Sequence, residues 1–203
     1  MLVGGPEIVT RALGPADLQH VAELFEAQRN TRHCWCMAPC ETSGRFAVGW
    51  LTGGNRRRFE AQVMSEQPPM GVLAFSSEQP IGWCACGPRS RYVTADHGRG
   101  GILRERNPGE DDVVWLLACF FVREAFRRQG VTDALMRAAV DLAEREGALA
   151  VEGWPAAEPH QRAADAFLGR ESAFERLGFS CIGRPRLGRA LMRLTIDRRP
   201  QNE

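Results

Sequence analysis

Residues 113–147 read VVWLLACFFVREAFRRQGVTDALMRAAVDLAEREG, and the fold turns on them. The stretch opens with an apolar run, 113–122, rich in β-branched and aromatic residues and lacking the polar alternation of a half-exposed strand. Such a run suits a strand covered on both faces of a sheet. A basic turn follows, Arg127-Arg128-Gln129-Gly130-Val131-Thr132. Beyond it, apolar residues recur at 131, 134, 135, 138, 139 and 142, the spacing of an amphipathic helix.

A buried strand, a glycine turn and a helix start together form an arrangement that can hold phosphate. The first amides of a helix have no partner inside it, and the macrodipole places partial positive charge there. Gly130 has no Cβ, so backbone can come close to a ligand at that point. Arg127 and Arg128 add side-chain charge. Strand-turn-helix joints also carry glycine and arginine without binding anything, and spacing alone leaves both readings open. Neither the G-x-x-x-x-G-K-[ST] phosphate loop nor the G-x-G-x-x-G dinucleotide fingerprint occurs in this stretch.

The stretch resembles the acyl-CoA-binding core of the GNAT superfamily of N-acetyltransferases. The family's [QR]-x-x-G-x-[GA] signature corresponds here to Arg127-x-x-Gly130-x-Thr132, with threonine where a small residue is usual. The threonine hydroxyl can donate to a phosphate or cap the helix. Asp133 follows at once, an ordinary first-turn acid for a helix but an awkward neighbour for a pyrophosphate. Downstream, Phe174-Glu175-Arg176-Leu177-Gly178-Phe179 is similar to the family's Y-E-[KR]-L-G-F segment. The resemblance covers residues 72–194. It implies an α/β (α+β) fold, a mixed and mostly antiparallel sheet of six to seven strands with a splayed central parallel pair, flanked by helices.

Composition sets the outer bounds. With 203 residues, 44% apolar and 25% charged, the chain is that of one globular domain. A formal charge of +1 argues against a generally basic nucleic-acid binder. No apolar run reaches the ~18 residues of a membrane span, and the first residues do not read as a signal peptide. The expectation is a cytoplasmic protein. Seven cysteines, at 34, 36, 40, 84, 86, 119 and 181, form an odd set that suits reduced thiols better than a disulfide framework. Cys34, Cys36 and Cys40 with His33, completed by Cys84 and Cys86, could supply metal ligands, but C-x-C is not the usual zinc spacing. Small thiols also pack well in strands, so no metal is expected.

In chain order, residues 7–13 read as a strand and Pro15-Ala16-Asp17 opens a helix with Leu18, Val21, Leu24 and Phe25 on one face. Residues 31–46 show no clean period and read as loop or short turns, with Trp35 and Met37 covering either the core or an acceptor pocket. Residues 55–67 suit a helix with Phe59, Val63 and Met64 inward. Residues 70–75 and 80–86 make a hairpin, and 88–112 a long loop containing His97 and Tyr92. After the central helix come a strand at 148–153, a second loop to 170, a short helix at 172–177, and two strands at 179–183 and 190–196. The tail, 198–203, is charged and expected to fray. The layout is one domain over 1–203, with 7–67 on the acceptor side and 68–196 as the acyl-CoA core.

The resemblance implies transfer of an acetyl group from acetyl-CoA to an amine, by direct attack in a ternary complex. Phe120, Phe121 and Val122 would pair with the pantetheine arm, and amides of Arg128, Gln129, Gly130, Val131, Thr132 and Asp133, with Arg127, would hold the pyrophosphate. Phe174 stands where many members carry a tyrosine beside the departing sulfur, and a phenyl ring cannot donate a proton. Glu152 is the expected general base, with Glu124, His97, Glu110 and Asp111 in reserve. Cys119 reads as packing rather than as an acyl carrier. The acceptor is a small-molecule or protein amine, without nucleic acid or membrane, and a homodimer is compatible with this. The competing reading is a non-catalytic acyl-CoA-binding sensor or interaction module.

Overall fold

The computed structural model describes residues 7–65, 68–92, 106–155, 167–184 and 189–197. Seven strands form one sheet in the order β1-β2-β3-β4-β5-β7-β6. They are β1 Ile8–Ala12, β2 Gly71–Ser76, β3 Gln79–Pro88, β4 Val114–Val122, β5 Ala150–Gly153, β6 Ser180–Gly183 and β7 Leu191–Thr195. Every neighbouring pair is antiparallel except β4 and β5, which run parallel. Parallel neighbours need a crossover, and helix α5, Val131–Arg145 in the numbering below, supplies it.

The helices are α1 Leu18–Glu26, α2 Arg29–Cys34, α3 Ser43–Thr52, α4 Gly54–Ser65, α5 Val131–Arg145 and α6 Glu171–Arg176. On one face of the sheet, Val21, Leu24 and Phe25 of α1 and Phe59 and Val63 of α4 pack on Leu73, Phe75, Trp83, Leu116 and Phe121. Phe25 sits at the centre of this layer, edge-on to Trp35, Phe59, Trp83 and Phe121 at 5.5 to 6.5 Å. Edge-to-face pairs add to the area they bury. On the other face, Val131, Leu135, Met136, Ala139 and Leu142 of α5 pack on Val72, Ala74, Cys84, Trp115 and Val151. With both faces covered, β4 can be apolar at nearly every position.

Two expectations fail. Residues 31–46, read as loop or short turns, are turns over 35–41 but hold the end of α2 and the start of α3 on either side. Helix α3 escapes pattern reading because its apolar residues are split: Phe46 and Trp50 flank the buried Gly49 on the inner face, while Val48 and Leu51 are 61% and 85% exposed. Glycine is needed at 49, since a Cβ would lie 2.0 Å from Asn55 Oδ1. Met64, expected to face inward, is 64% exposed. Trp35 and Met37, left between core and pocket, are core residues at 2% and 0% exposure.

The architecture matters at one place. β4 pairs with β5 from Val114↔Ala150 to Leu117↔Gly153, and there the parallel ladder stops. β4 continues to Val122, so its last residues have an open edge on that side among the described residues. A bulge sits at the parting point. Ala85 faces Cys119 and Cys86 faces Leu117, which makes Ala118 an extra residue. The inward parity of β4 changes across it: Leu116 and Ala118 lie in the α1/α4 layer, and so does Phe121. Bulges of this kind re-aim backbone groups and end pairing.

Candidate functional site

The parting of β4 and β5 opens into a cavity of about 610 Å³, within the ~300–1,000 Å³ range of small-ligand sites. One wall is the end of β4 with the following turn: Phe120, Phe121, Val122, Phe126, Arg127 and Arg128. The floor is the start of α5, from Gly130 to Asp133. The opposite wall is the approach to α6 and its outer face: Phe167, Gly169, Arg170, Ser172, Ala173 and Arg176.

The turn into α5 carries two left-handed residues, Arg128 and Gly130. Gly130 is the residue before the helix, with φ +83°, and a Cβ there would meet nothing within 4 Å. Its glycine is thus required by backbone conformation rather than by crowding. Arg128 is also left-handed, at φ 60°, a conformation that costs a non-glycine residue of order ~1–3 kcal/mol and clusters at ligand sites. Alternating left-handed residues before a helix turn successive N–H groups toward one point, making a concavity for anions. Arg127 is tied down by its Nε donating to Val122 O at 3.2 Å. The donors present, helix amides and guanidinium groups, fit a phosphate-bearing ligand.

Nine of the expected cofactor residues line this cavity: Phe120, Phe121, Val122, Arg127, Arg128, Gly130, Val131, Thr132 and Asp133. Gln129 and Phe174 do not. Gln129 is exposed and donates to Ala125 O at 2.8 Å. Phe174 is wholly buried behind the wall, edge-on to Phe120 and Phe179 at 6.3 and 5.1 Å. It fills the space above Gly153, where a Cβ would come within 2.3 Å of the ring. Of the facing wall, Ser172 is a hydroxyl that the sequence offers for the departing sulfur, while Phe167, Arg170 and Arg176 carry no sequence signal beyond the arginine inside Phe174-Glu-Arg-Leu-Gly-Phe179.

Glu152 does not line the cavity. It is 1% exposed, with Oε2 3.3 Å from Arg89 Nη1 and Oε1 3.1 Å from Arg193 Nη1. Burial pushes its carboxyl up, against the pull of the two guanidinium groups. Two reserve carboxylates belong to the same network: Arg89 Nε meets Asp111 at 3.0 Å, and Arg193 meets Glu110 at 3.3 Å. Glu124 is exposed, and His97 lies outside the described residues. Tyr92 is in the core, its hydroxyl pushed well above the ordinary range by burial.

The seven cysteines are all free of disulfides. Among the described residues, no three His, Cys, Asp or Glu side chains converge as a metal site would require. Cys119, next to the bulge, hydrogen-bonds Cys36, and that bond, followed by burial, pushes the Cys36 thiol well above its ordinary range. Trp83 Nε1 also donates to Cys36 Sγ at 3.1 Å. No helix among the described residues is long and apolar enough to cross a membrane.

A mixed sheet is parted at its one parallel pair, with helix amides and arginines whose chemistry suits an anion beside the gap. The chain belongs to the acetyltransferase (GNAT) family, whose model matches residues 37–179. Among solved structures it is similar to the PaiA N-acetyltransferase of Thermoplasma acidophilum in complex with coenzyme A, with a TM-score of 0.54, 12% identity, and 94% of this chain and 99% of that one covered. It is also similar to YncA of Salmonella typhimurium with its cofactor acetyl-CoA, with a TM-score of 0.54, 16% identity and 95% and 96% covered. A GNAT-family acetyltransferase of Listeria monocytogenes gives a TM-score of 0.57 at 14% identity, with 97% and 99% covered. At these identities the likeness shows the fold. No curated protein matches the sequence.

Proposed function

We propose that this protein transfers an acetyl group from acetyl-CoA to an amine by direct attack in a ternary complex. The observation that carries the reading is the cavity itself, set where β4 leaves β5 and floored by the start of α5. Acetyl-CoA supplies the activated thioester. Amides from Arg128 to Asp133, with the Arg127 and Arg128 guanidinium groups, hold the pyrophosphate. Charge-assisted bonds of this kind contribute ~1.5–3 kcal/mol each, so several together offset the several kcal/mol lost on association. The open edge of β4 at Phe120, Phe121 and Val122 pairs with the amides of the pantetheine arm as an added strand would.

The bulge at Ala118 lies at the inner end of that edge, and a backbone N–H released there from the ladder is the donor for negative charge building on the thioester oxygen. Ser172, which lines the cavity, is the hydroxyl available to the departing sulfur in place of the tyrosine that position 174 lacks. Glu152 is a positioning residue: its carboxylate ties β5 to Arg89 and Arg193, and the amine proton leaves through water. Cys119, partly buried against the α1/α4 layer, packs rather than carries the acyl group.

The test is thiol release from acetyl-CoA across a panel of amines, from small polyamines and aminoglycosides to peptide N-termini and lysines. Turnover with at least one class, and intersecting initial-velocity patterns, are expected. Tight acetyl-CoA binding without turnover on any amine favours the sensor reading. Parallel patterns point to an acyl-enzyme.

A further inference from the structure

Asp133 is the one carboxylate, among the described residues, that lines a cavity otherwise furnished with arginine and helix amides. A negative charge at the third position of α5 opposes any phosphate seated on that helix start. The structure shows what holds it. Arg176, from the far wall, donates through Nη2 to both Asp133 oxygens at 3.1 and 3.2 Å. Its Nη1 donates to Ser172 O in its own helix at 3.1 Å. The guanidinium is therefore fixed by α6 and aimed across the cavity mouth at α5. Both side chains are partly open to solvent, 58% for Arg176 and 33% for Asp133. An ion pair this exposed is weak and exchangeable.

We propose that Asp133 and Arg176 form an exchangeable clasp that sets selectivity for the cofactor's phosphates. This rests on the acetyl-CoA reading of the cavity. In the free protein the Asp133 carboxylate occupies Nη2 of Arg176, a donor that a phosphate would use. A ligand phosphate takes that donor when it carries more charge than the carboxylate, since charge-assisted guanidinium bonds strengthen with the charge of the acceptor. Asp133 then stands as a like charge near the bound anion. Ligands with a single phosphate gain little over the clasp they must open, whereas a thioester bearing a pyrophosphate and a further phosphate gains the whole cradle. Asp133 lowers affinity for every anion, and for bare phosphates, whose whole charge sits at the clasp, more than for the full cofactor, so it widens the margin between the cofactor and free phosphate anions, the repulsive half of a specificity device.

The experiment is calorimetry on the full chain with acetyl-CoA, acetyl-dephospho-CoA, inorganic pyrophosphate and acetyl-pantetheine, which has no phosphate. Asp133→Asn should tighten acetyl-CoA by about 3- to 10-fold and pyrophosphate by more, leaving acetyl-pantetheine, the phosphate-free control, unchanged. Arg176→Gln should weaken acetyl-CoA by about 5- to 10-fold and likewise spare acetyl-pantetheine. In the double variant the two effects should not add, because the residues share one contact. Thermal melting of each variant checks that it is folded. Unchanged or weaker acetyl-CoA binding by Asp133→Asn overturns the clasp, as does an equal change toward acetyl-pantetheine. If Gly130→Asp abolishes acetyl-CoA binding while Asp133→Asn does nothing, the clasp fails and the cofactor reading stands. Absence of acetyl-CoA binding by the parent overturns both.

Discussion

Gly130→Asp probes the anion cradle with little damage to the fold. Gly130 is left-handed at φ +83°, and a side chain there would meet nothing within 4 Å. Aspartate tolerates that conformation better than most residues, so the strain should cost about 1 kcal/mol and lower Tm by ~2–4 °C in a chain of this size. The new carboxylate would enter the cavity that Gly130 lines. Set about 5 Å from a phosphate at an effective dielectric near 20, it opposes binding by about 3 kcal/mol, roughly a 10²-fold loss of affinity. Gly130→Asn carries the same shape and strain without the charge, and should lose less than about tenfold. Titration calorimetry with acetyl-CoA at low and moderate salt separates the two, because only the aspartate penalty shrinks as salt screens it. Equal affinities in the parent and both variants would refute the assignment of the cradle.

Phe174→Leu should lower stability by ~1–2 kcal/mol, since it opens space above Gly153, while the alkaline limb of the pH-rate profile stays put; a moved limb would mean that position 174 takes part in proton transfer. Glu152→Gln should retain turnover and the acid limb of kcat/KM, and loss of that limb in a folded variant would return Glu152 to the role of base. Arg89→Met, by contrast, should destabilise the fold by about 3 kcal/mol in urea, because it leaves buried carboxylates short of a partner. For Asp17, burial raises the carboxyl, but the Arg11 hydrogen bond, the Gly14 amide and the charges of Arg11 and His20 bring it below its ordinary value of 3.8. Its native form therefore binds protons less readily than its unfolded form, so its stabilisation is present above that value and is lost as pH falls below it. Melting scans from pH 5 to pH 3 should show a steeper loss in the parent than in Asp17→Asn, and parallel curves would contradict the pairing.

The core of this fold was legible because its signals are local. The apolar run of β4, the glycine at 130 and the period of α5 each lie within one element, and together they place one wall and the floor of the cavity. Beyond Ser172, the facing wall was not legible. Arg176 reaches Asp133 across 43 positions of sequence, and no local pattern reports a contact made only when β5 and α6 fold back. The bulge at Ala118 leaves no mark in an apolar run, since its parity change shows only against a partner strand. Glu152 reads as the general base because a single glutamate carries no trace of Arg89 and Arg193, 63 and 41 positions away. Helix α3 was missed for another reason: its apolar residues are divided between two faces, with Phe46 and Trp50 inward beside Gly49 and Val48 and Leu51 outward, so no single stripe stands out.

The central claim is that the acyl-CoA phosphates rest on the start of α5 and that the pantetheine arm follows β4 to the bulge. Backbone amide spectra of ¹⁵N-labelled protein titrated with acetyl-CoA test it most directly. Amides of Arg128 to Asp133, together with those of Ala118 to Val122, should move saturably with one shared dissociation constant, and acetyl-pantetheine should move only the β4 set. Saturable shifts confined to other elements, with both sets unmoved, would contradict it.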